Sequence, residues 1–261
     1  MDTIETIRTR KSVRTFDGRP LTPADLESIR AFARAADNPW GVRVEFVFLD
    51  PDEHGLSSPV ITGKTLWMAA KVAKVPHAEE AYGYSFERVV LHAWSLGVGT
   101  TWIGGTLDRP RFEEAAGVRE GEAMFIVTPL GYSAADRAAV DVRLRAMVRG
   151  DERLPSAELF FDGAFGTPLA AAGAVADALE AVRWAPSAAN RQPWRVVCRG
   201  PDFHFYECHD PALAHHSWDV QRIDMGIALC HFTAVAGGTL RVSDPGLPTP
   251  FGTDYVATVA I

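Results

Sequence analysis

The sequence is poor in cysteine and has no long apolar run. Its three cysteines, Cys198, Cys208 and Cys230, are odd in number and form no CxxC pair, which argues against a disulfide framework and favours a reducing compartment. No apolar stretch reaches the roughly 18 residues that a membrane-spanning helix needs. The first residues also lack the apolar segment of a signal peptide. We therefore expect a soluble, cytoplasmic protein with no membrane partner.

Positive charge is scarce as well. The chain has 26 Lys and Arg against 33 Asp and Glu, a net charge of -7, which disfavours nucleic acid as a partner. Neither a GxGxxG turn after a strand nor a GxxxxGK[ST] loop occurs, so a Rossmann dinucleotide site and a P-loop have no support. The 261 residues are enough for one large domain or two small ones.

Helices and strands are predicted from apolar periodicity and from the residues at its ends. The clearest helix starts at Pro23 after the capping residue Thr22, and a second runs from Asp108 to a stop at Gly117. Residues 66–75 fit a strand or a short helix, and residues 133–168 are predicted to be a polar, arginine-rich connector. Other helices are predicted near 3–10, 84–96, 174–185 and 220–236, and strands near 42–49, 123–132, 194–199, 203–208, 239–242 and 254–261.

The two halves of the chain resemble each other. "LESIRAFARAADNPW" (26–40) and "LEAVRWAPSAANRQPW" (179–194) share their first residues and their Asn and Pro-Trp ends. "LHAWSLGVGTTW" and "CHFTAVAGGTLR" pair His92 with His231 and Gly99 with Gly238. Two copies of one α+β unit explain this pattern better than two unrelated domains. We predict a first half at 1–165 and a second at 166–261.

A basic motif, "RKSVRTF", opens the first half. Arg10, Lys11, Ser12 and Arg14 bring two guanidinium groups and a hydroxyl close together, and these groups can bind a phosphate. A solvated basic turn is the alternative, because such clusters are common on surfaces.

A polar loop in the second half, "APSAANRQPW", is the second candidate. Ser187 and Asn190 could offer a hydroxyl and an amide to a polar heterocycle, and Pro186 stiffens the loop. The alternative is a helix end followed by a turn in which these side chains satisfy local backbone groups.

The "WIGGT" stretch is the third candidate, since Gly104 and Gly105 allow close backbone approach to a flat ligand; a plain turn is the alternative. His92 and His231 lie on apolar helices and are expected to be packing residues. A further group of potential ligands matches no closed zinc site, so no metal is predicted: His204, Cys208, His209, His215 and His216.

Together these stretches resemble the nitroreductase family of FMN-dependent oxidoreductases. The resemblance rests on "RKSVRTF", "APSAANRQPW", "LHAWSLGVGTTWIGG" (91–105), "IVTPLGY" (126–132) and "DMGIALCHF" (224–232). It implies an α+β, nitroreductase-like fold made of two similar halves in one chain, which act as a pseudo-dimer. In ordinary members the arginine motif and the Ser/Asn loop occur close together in one short chain, and two chains share each flavin. Here each half has lost one motif, which implies one FMN per monomeric chain.

The resemblance also implies roles for residues. Arg10, Lys11, Ser12 and Arg14, with Arg149 or Arg153, would contact the FMN phosphate and ribityl chain. Gly104 and Gly105 would face the flavin N5 edge, and Pro186, Ser187 and Asn190 its ring system. The implied reaction is hydride transfer from NADH or NADPH through FMN to a small acceptor such as a nitroaromatic or a quinone, with no catalytic side chain assigned. Another flavin chemistry, or a flavin-binding protein without catalysis, remains the alternative.

Overall fold

The chain folds into two compact units. The computed structural model describes residues 2–213 and 217–261. Unit one is Thr9–Gly150, and unit two combines Asp2–Arg8 with Asp151–Ile261. The division falls at Gly150, before the sequence-based boundary at 165, because a short strand at 160–162 pairs in parallel with the strand at 194–199 of unit two. Among the described helices, none combines the length and apolarity needed to cross a bilayer.

The chain opens on helix α1 (Thr3–Thr9), nearly all of which belongs to unit two. Unit one is a four-stranded antiparallel sheet with helices around it, and β2 pairs with each of its other strands. Its elements are α2 (Pro23–Ala35), β1 (Val44–Leu49), α3 (Pro51–His54), β2 (Leu66–Ala73), α4 (Ala78–Ser95), α5 (Arg109–Ala116), β3 (Glu122–Ala123), β4 (Val127–Leu130) and α6 (Ala139–Met147).

Unit two carries a five-stranded sheet of order β5-β6-β7-β9-β8, antiparallel except for the β5–β6 pair. Two short 3₁₀ turns, Ala188–Asn190 and Pro211–Leu213, lie in its loops. Its elements are α7 (Ser156–Leu159), β5 (Phe160–Asp162), α8 (Gly173–Arg183), β6 (Trp194–Arg199), β7 (Asp202–Cys208), α9 (Val220–Ala236), β8 (Thr239–Arg241) and β9 (Thr253–Ala260).

The two units repeat one order of main elements. Unit one runs α2, β1, β2, α4, β4, and unit two runs α8, β6, β7, α9, β9; in both, the second strand pairs antiparallel with the first and the third. The paired histidines also make equivalent contacts. His92 Nε2 lies 3.0 Å from Ser28 Oγ, and His231 Nδ1 lies 2.8 Å from the Ala181 carbonyl. Ser28 and Ala181 occupy the same position in the aligned helices, and His231 is fully buried, so these histidines join helices.

The predicted helix ends are confirmed. Thr22 Oγ1 accepts the Asp25 amide at 3.1 Å, with Pro23 in the first turn of α2. The Asp108 carboxylate accepts from Arg111 N, and Gly117 ends α5 in the left-handed region with φ 64°. Residues 66–73 form a strand, one of the two predicted possibilities.

Two predictions for residues 123–168 were wrong. Residues 123–132 do not form one strand, because Tyr82 Oη both accepts the Ile126 amide and donates to the Ile126 carbonyl, which takes that residue out of the β4 ladder. Residues 133–168 are not a plain connector, because they form α6, α7 and β5. In α6 the buried residue is Asp141, a carboxylate rather than an apolar side chain, so apolar periodicity did not mark the helix.

Candidate functional site

The basic motif is held in place by backbone hydrogen bonds within unit one. Val13 N donates to the Thr100 carbonyl at 2.8 Å, and Phe16 N donates to the Thr62 carbonyl at 2.8 Å. Gly99 permits this close approach, because a Cβ there would lie 2.8 Å from the Val13 side chain. The motif is thus a fixed segment of the fold rather than a free basic turn. Lys11 is exposed and Ser12 is half-buried.

Arg10 is buried beside a buried carboxylate. Its side chain is 4% exposed, and its Nε lies 3.8 Å from Glu87 Oε1, whose side chain is fully buried. Arg10 Nε and Nη1 have no hydrogen-bond partner among the described residues. Burial lowers the pKa of Arg10, and although Glu87 raises it, the positive charges of Arg145 and Arg14 lower it further. A buried guanidinium with unsatisfied donors can accept an anion.

Arg14 completes an arginine cluster with Arg10, Arg137 and Arg145. Its Nη1 lies 3.3 Å from Oδ1 of Asp141, which is buried on α6. Burial lowers the pKa of Arg14; the Asp141 pair opposes this, and the charges of Arg145 and Arg137 add to it. An anionic ligand would offset the positive charges that lower the pKa values of Arg10 and Arg14. The cluster therefore fits a phosphate group.

Sequence reasoning missed Arg137 and Arg145, and also their neighbours Glu87 and Asp141. The arginine-rich composition of residues 133–168 was the available signal, but the family resemblance pointed to Arg149 or Arg153 instead. Arg149 is exposed at the end of unit one, with a left-handed φ of 50°. Arg153 lies in unit two, with its guanidinium over the Trp184 ring at 4.9 Å and its Nη1 3.4 Å from Asn190 Oδ1.

Arg109 fixes the direction of the glycine turn. Its Nη2 donates to the Gly104 carbonyl at 2.7 Å, and the same guanidinium donates to the carbonyls of Met124 and Phe125. The peptide between Gly104 and Gly105 is planar and trans, so the Gly105 N–H points away from Arg109. Space around Gly105 is open, since an added Cβ would meet no described atom within 4 Å. The turn therefore offers an amide hydrogen that a ligand can reach.

The polar loop of unit two is held in an unusual backbone conformation. Ala189, Asn190 and Gln192 have φ values of 47°, 57° and 51°, in the left-handed region. Each such residue costs roughly 1–2 kcal/mol, and such strain is concentrated at functional sites. Ser187 Oγ accepts from Gln192 N at 2.9 Å. Pro186 is half-buried just before it.

Buried polar side chains fix this loop. The Gln192 side chain is buried, and its Oε1 accepts from Leu154 N at 2.9 Å. Asn190 Nδ2 donates to the Glu152 carbonyl at 3.1 Å. Both predicted polar side chains, Ser187 and Asn190, thus make hydrogen bonds that hold the backbone of this loop and of its neighbour at Glu152.

Asp224 on α9 is the anchor of the loop. Both of its carboxylate oxygens accept from the Ala188 N–H, at 3.1 and 3.0 Å. Burial raises the pKa of Asp224 well above its ordinary value, and the charges of Glu207 and Asp219 raise it further. In unit one, Ser85 of α4 contacts Asn38 Nδ2 at 3.1 Å. Ser85 lies about two helical turns before His92, and Asp224 lies equally far before His231. Each unit therefore holds its own copy of the loop from the same position of its helix.

A group of three potential metal ligands, Glu207, His209 and Asp219, also lies in unit two. His209 contacts Glu207 and Asp254 at 2.8 Å each, and Arg222 Nε lies 2.7 Å from Glu207. Since His209 and Arg222 already pair with Glu207, we interpret the group as an ion-pair network. His215 and His216 lie outside the described residues, and His204 bonds to Thr258 at 2.8 Å.

This network predicts that stability depends on pH. Burial raises the pKa of Glu207 to about 7 from 4.5, so the folded state keeps a proton that the unfolded chain has released. This contribution is complete below pH 4.5 and lost as pH rises through about 7. The pKa of His209 is also raised: burial lowers it, but the Asp254 bond and the Glu207 charge more than offset this. Its contribution likewise fades as pH rises.

We expect the free energy of unfolding, measured with denaturant, to fall over this range by on the order of 1 kcal/mol per pH unit. Glu207→Gln should remove much of this slope, whereas the exposed control Asp177→Asn should keep it. An equal slope in the Glu207→Gln variant would contradict the assignment.

The chain is similar to known proteins of one family. A family model described as "Putative TM nitroreductase" matches residues 2–236. A solved structure described as a putative nitroreductase from Thermotoga maritima MSB8 is similar over 100% of this chain and 94% of its own, with 18% identity and a TM-score of 0.65. An FMN-dependent nitroreductase from Clostridium difficile R20291 is similar over 52% of this chain and 90% of its own, with 19% identity and a TM-score of 0.45. No curated protein matches the sequence. The full-length similarity confirms the predicted α+β fold.

Proposed function

The chain belongs to the nitroreductase family described as "Putative TM nitroreductase", and from that membership and the arginine cluster we propose that it is an FMN-dependent NAD(P)H oxidoreductase. The acceptor we propose is a small oxidised molecule such as a nitroaromatic or a quinone. The observation that carries the proposal is the buried Arg10 guanidinium, whose Nε and Nη1 have no hydrogen-bond partner in the part of the chain that the structure describes. A phosphate monoester supplies the acceptors that these donors lack.

The arginine cluster is assigned to the FMN phosphate. Arg10 and Arg14 provide guanidinium donors, Ser12 a hydroxyl, and the nearby charges of Arg137 and Arg145 add to the positive potential. Lys11, exposed beside them, and Arg149, at the end of unit one, would contribute mainly long-range attraction. The fixed backbone of residues 13–16 means that little ordering is needed when the phosphate binds.

The glycine turn and the polar loop are each proposed as flavin contacts. The Gly105 N–H, directed by the Arg109–Gly104 bond, would donate to the flavin N5 edge. The loop of Pro186, Ser187 and Asn190 would contact the ring, with Arg153 holding Asn190. FMN, when bound, supplies the hydride chemistry, so the protein's task is to hold and orient it. We assign no side-chain acid or base.

One FMN per chain is the stoichiometry that we propose. In the loop of unit one, Asn38 uses its side chain on its own turn: Oδ1 accepts from the amides of Trp40 and Val42, and Nδ2 donates to the Val42 carbonyl. No serine stands in that loop where Ser187 stands in unit two. These differences support a single intact site in a monomeric pseudo-dimer.

The full chain, purified or reconstituted with FMN, should therefore be yellow and carry one FMN at the native mass of one 28.4 kDa chain. Anaerobic NADH or NADPH should bleach it, and a nitroaromatic or quinone should restore the colour. Two FMN per chain would contradict the single site. Tight FMN binding without bleaching would favour a non-catalytic flavin protein, and bleaching without turnover of these acceptors would favour another flavin chemistry. An absence of FMN binding would overturn the proposal.

A further inference from the structure

A cavity of about 510 Å³ lies in unit one, between the end of α2, the loop at 36–43 and strand β1. Its volume falls in the range of small-molecule sites. None of the residues assigned to FMN lines it. The loop is the counterpart in unit one of the polar loop in unit two.

The charges that line the cavity do not balance. Arg30 and Arg43 both line it and have no carboxylate partner among the described residues. The other ionised residues of the lining are neutralised by partners: Arg34 by Glu27, Asp37 by Arg88, and Glu45 by Lys71. Two positive charges therefore remain for a ligand.

The rest of the lining is suited to a flat apolar group. Phe46 and Phe48 of β1 line the cavity and are only partly buried. The Arg30 guanidinium lies over the Phe48 ring, 5.4 Å from its centroid. A guanidinium stacked on an aromatic face keeps its in-plane donors free to bind a carboxylate.

We propose that this cavity binds a small aromatic carboxylate. The carboxylate pairs with Arg30 and Arg43, and the ring packs against Phe46 and Phe48. The charge pairs provide selection for an anion, and the phenylalanines provide apolar contact area. This inference does not depend on FMN binding.

The test uses the full chain and two probes of nearly the same shape, naphthalene-2-carboxylate and the neutral naphthalene-2-carboxamide. Titration calorimetry should show binding of the carboxylate at least tenfold tighter than of the amide. Binding should weaken as salt rises, because the arginines are partly solvated. Equal affinities, or no binding of the carboxylate at millimolar concentration, would overturn the proposal.

Substitutions test whether the carboxylate binds in this cavity. Arg30→Gln combined with Arg43→Gln should weaken carboxylate binding at least tenfold, while the exposed control Arg119→Gln should leave it unchanged. Arg43→Glu alone reverses an exposed charge without touching the Phe48 stack, and should weaken binding even if the double variant is unstable. Ser12→Ala with Arg14→Ala should leave this binding intact. Affinity that survives the Arg30 and Arg43 changes would show that the carboxylate binds elsewhere.

Discussion

Replacing Ser12 and Arg14 together by alanine should release FMN from the protein. Arg14 is held by Asp141 on α6, within the arginine cluster, and Ser12 is on the same fixed segment. A hydrogen bond to a charged group is worth roughly 1.5–3 kcal/mol. The loss of two such contacts weakens binding by about 3–6 kcal/mol, or on the order of 10²- to 10⁴-fold in Kd. The measurement is FMN affinity by quenching of flavin fluorescence, with circular dichroism to confirm folding.

The control for this variant is Arg119→Ala, an exposed arginine of unit one outside the cluster. It should change the Kd less than twofold if binding depends on local contacts rather than on net charge. A companion variant, Asn190→Ala, tests whether the polar loop contacts FMN. If the Ser12 and Arg14 variant binds FMN as tightly as the parent, the phosphate assignment is wrong. If that variant loses affinity but Asn190→Ala leaves the Kd for FMN unchanged, the loop assignment is wrong.

Local chemistry made much of the fold predictable from the sequence. The start of α2 at Thr22 and Pro23, and the limits of α5 at Asp108 and Gly117, depend on side chains within four residues of the helix end. The positions of β1, β6 and β7 followed from dense apolar and β-branched runs. Such signals need no knowledge of the rest of the chain.

What could not be predicted depends on partners distant in sequence. The α6 helix buries Asp141 against Arg14, and the interruption before β4 is caused by Tyr82. The grouping of α1 with unit two likewise has no local signature. In each case the deciding contact joins residues from different parts of the chain.

In the candidate site, too, local motifs were predictable from the sequence and long-range contacts were not. Arg10, Ser12 and Arg14 were found because they are adjacent in a short motif, whereas Glu87 and Arg145 reach them only through the fold. Asp224, which fixes the polar loop, lies within a stretch that carried the family resemblance, yet an isolated aspartate on an apolar helix has no distinctive pattern. The charge partners of the arginines in this motif could therefore be identified only from the structure.

Glu87→Gln should be among the most destabilising conservative substitutions in unit one. It removes the carboxylate whose charge raises the pKa of Arg10, and leaves that guanidinium buried beside Arg14 and Arg145. Breaking a buried ion pair from one side costs about 3–5 kcal/mol. The introduced glutamine would still offer an oxygen to Trp102 Nε1, which now donates to Glu87 at 3.0 Å, so the loss reports on charge rather than on that hydrogen bond.

Glu27→Gln is the matched control, because Glu27 pairs with Arg34 at 2.7 Å but both side chains are more than half exposed. An exposed pair of this kind is worth at most about 1 kcal/mol. Denaturant unfolding should therefore separate the two variants by at least about 2 kcal/mol. Inorganic phosphate should raise the Tm of the Glu87→Gln variant more than that of the parent, since an anion in the cluster replaces the missing charge beside Arg10. If the Glu87→Gln variant is as stable as the Glu27→Gln variant, Arg10 does not need a carboxylate partner. That result would contradict the proposed anion site at Arg10.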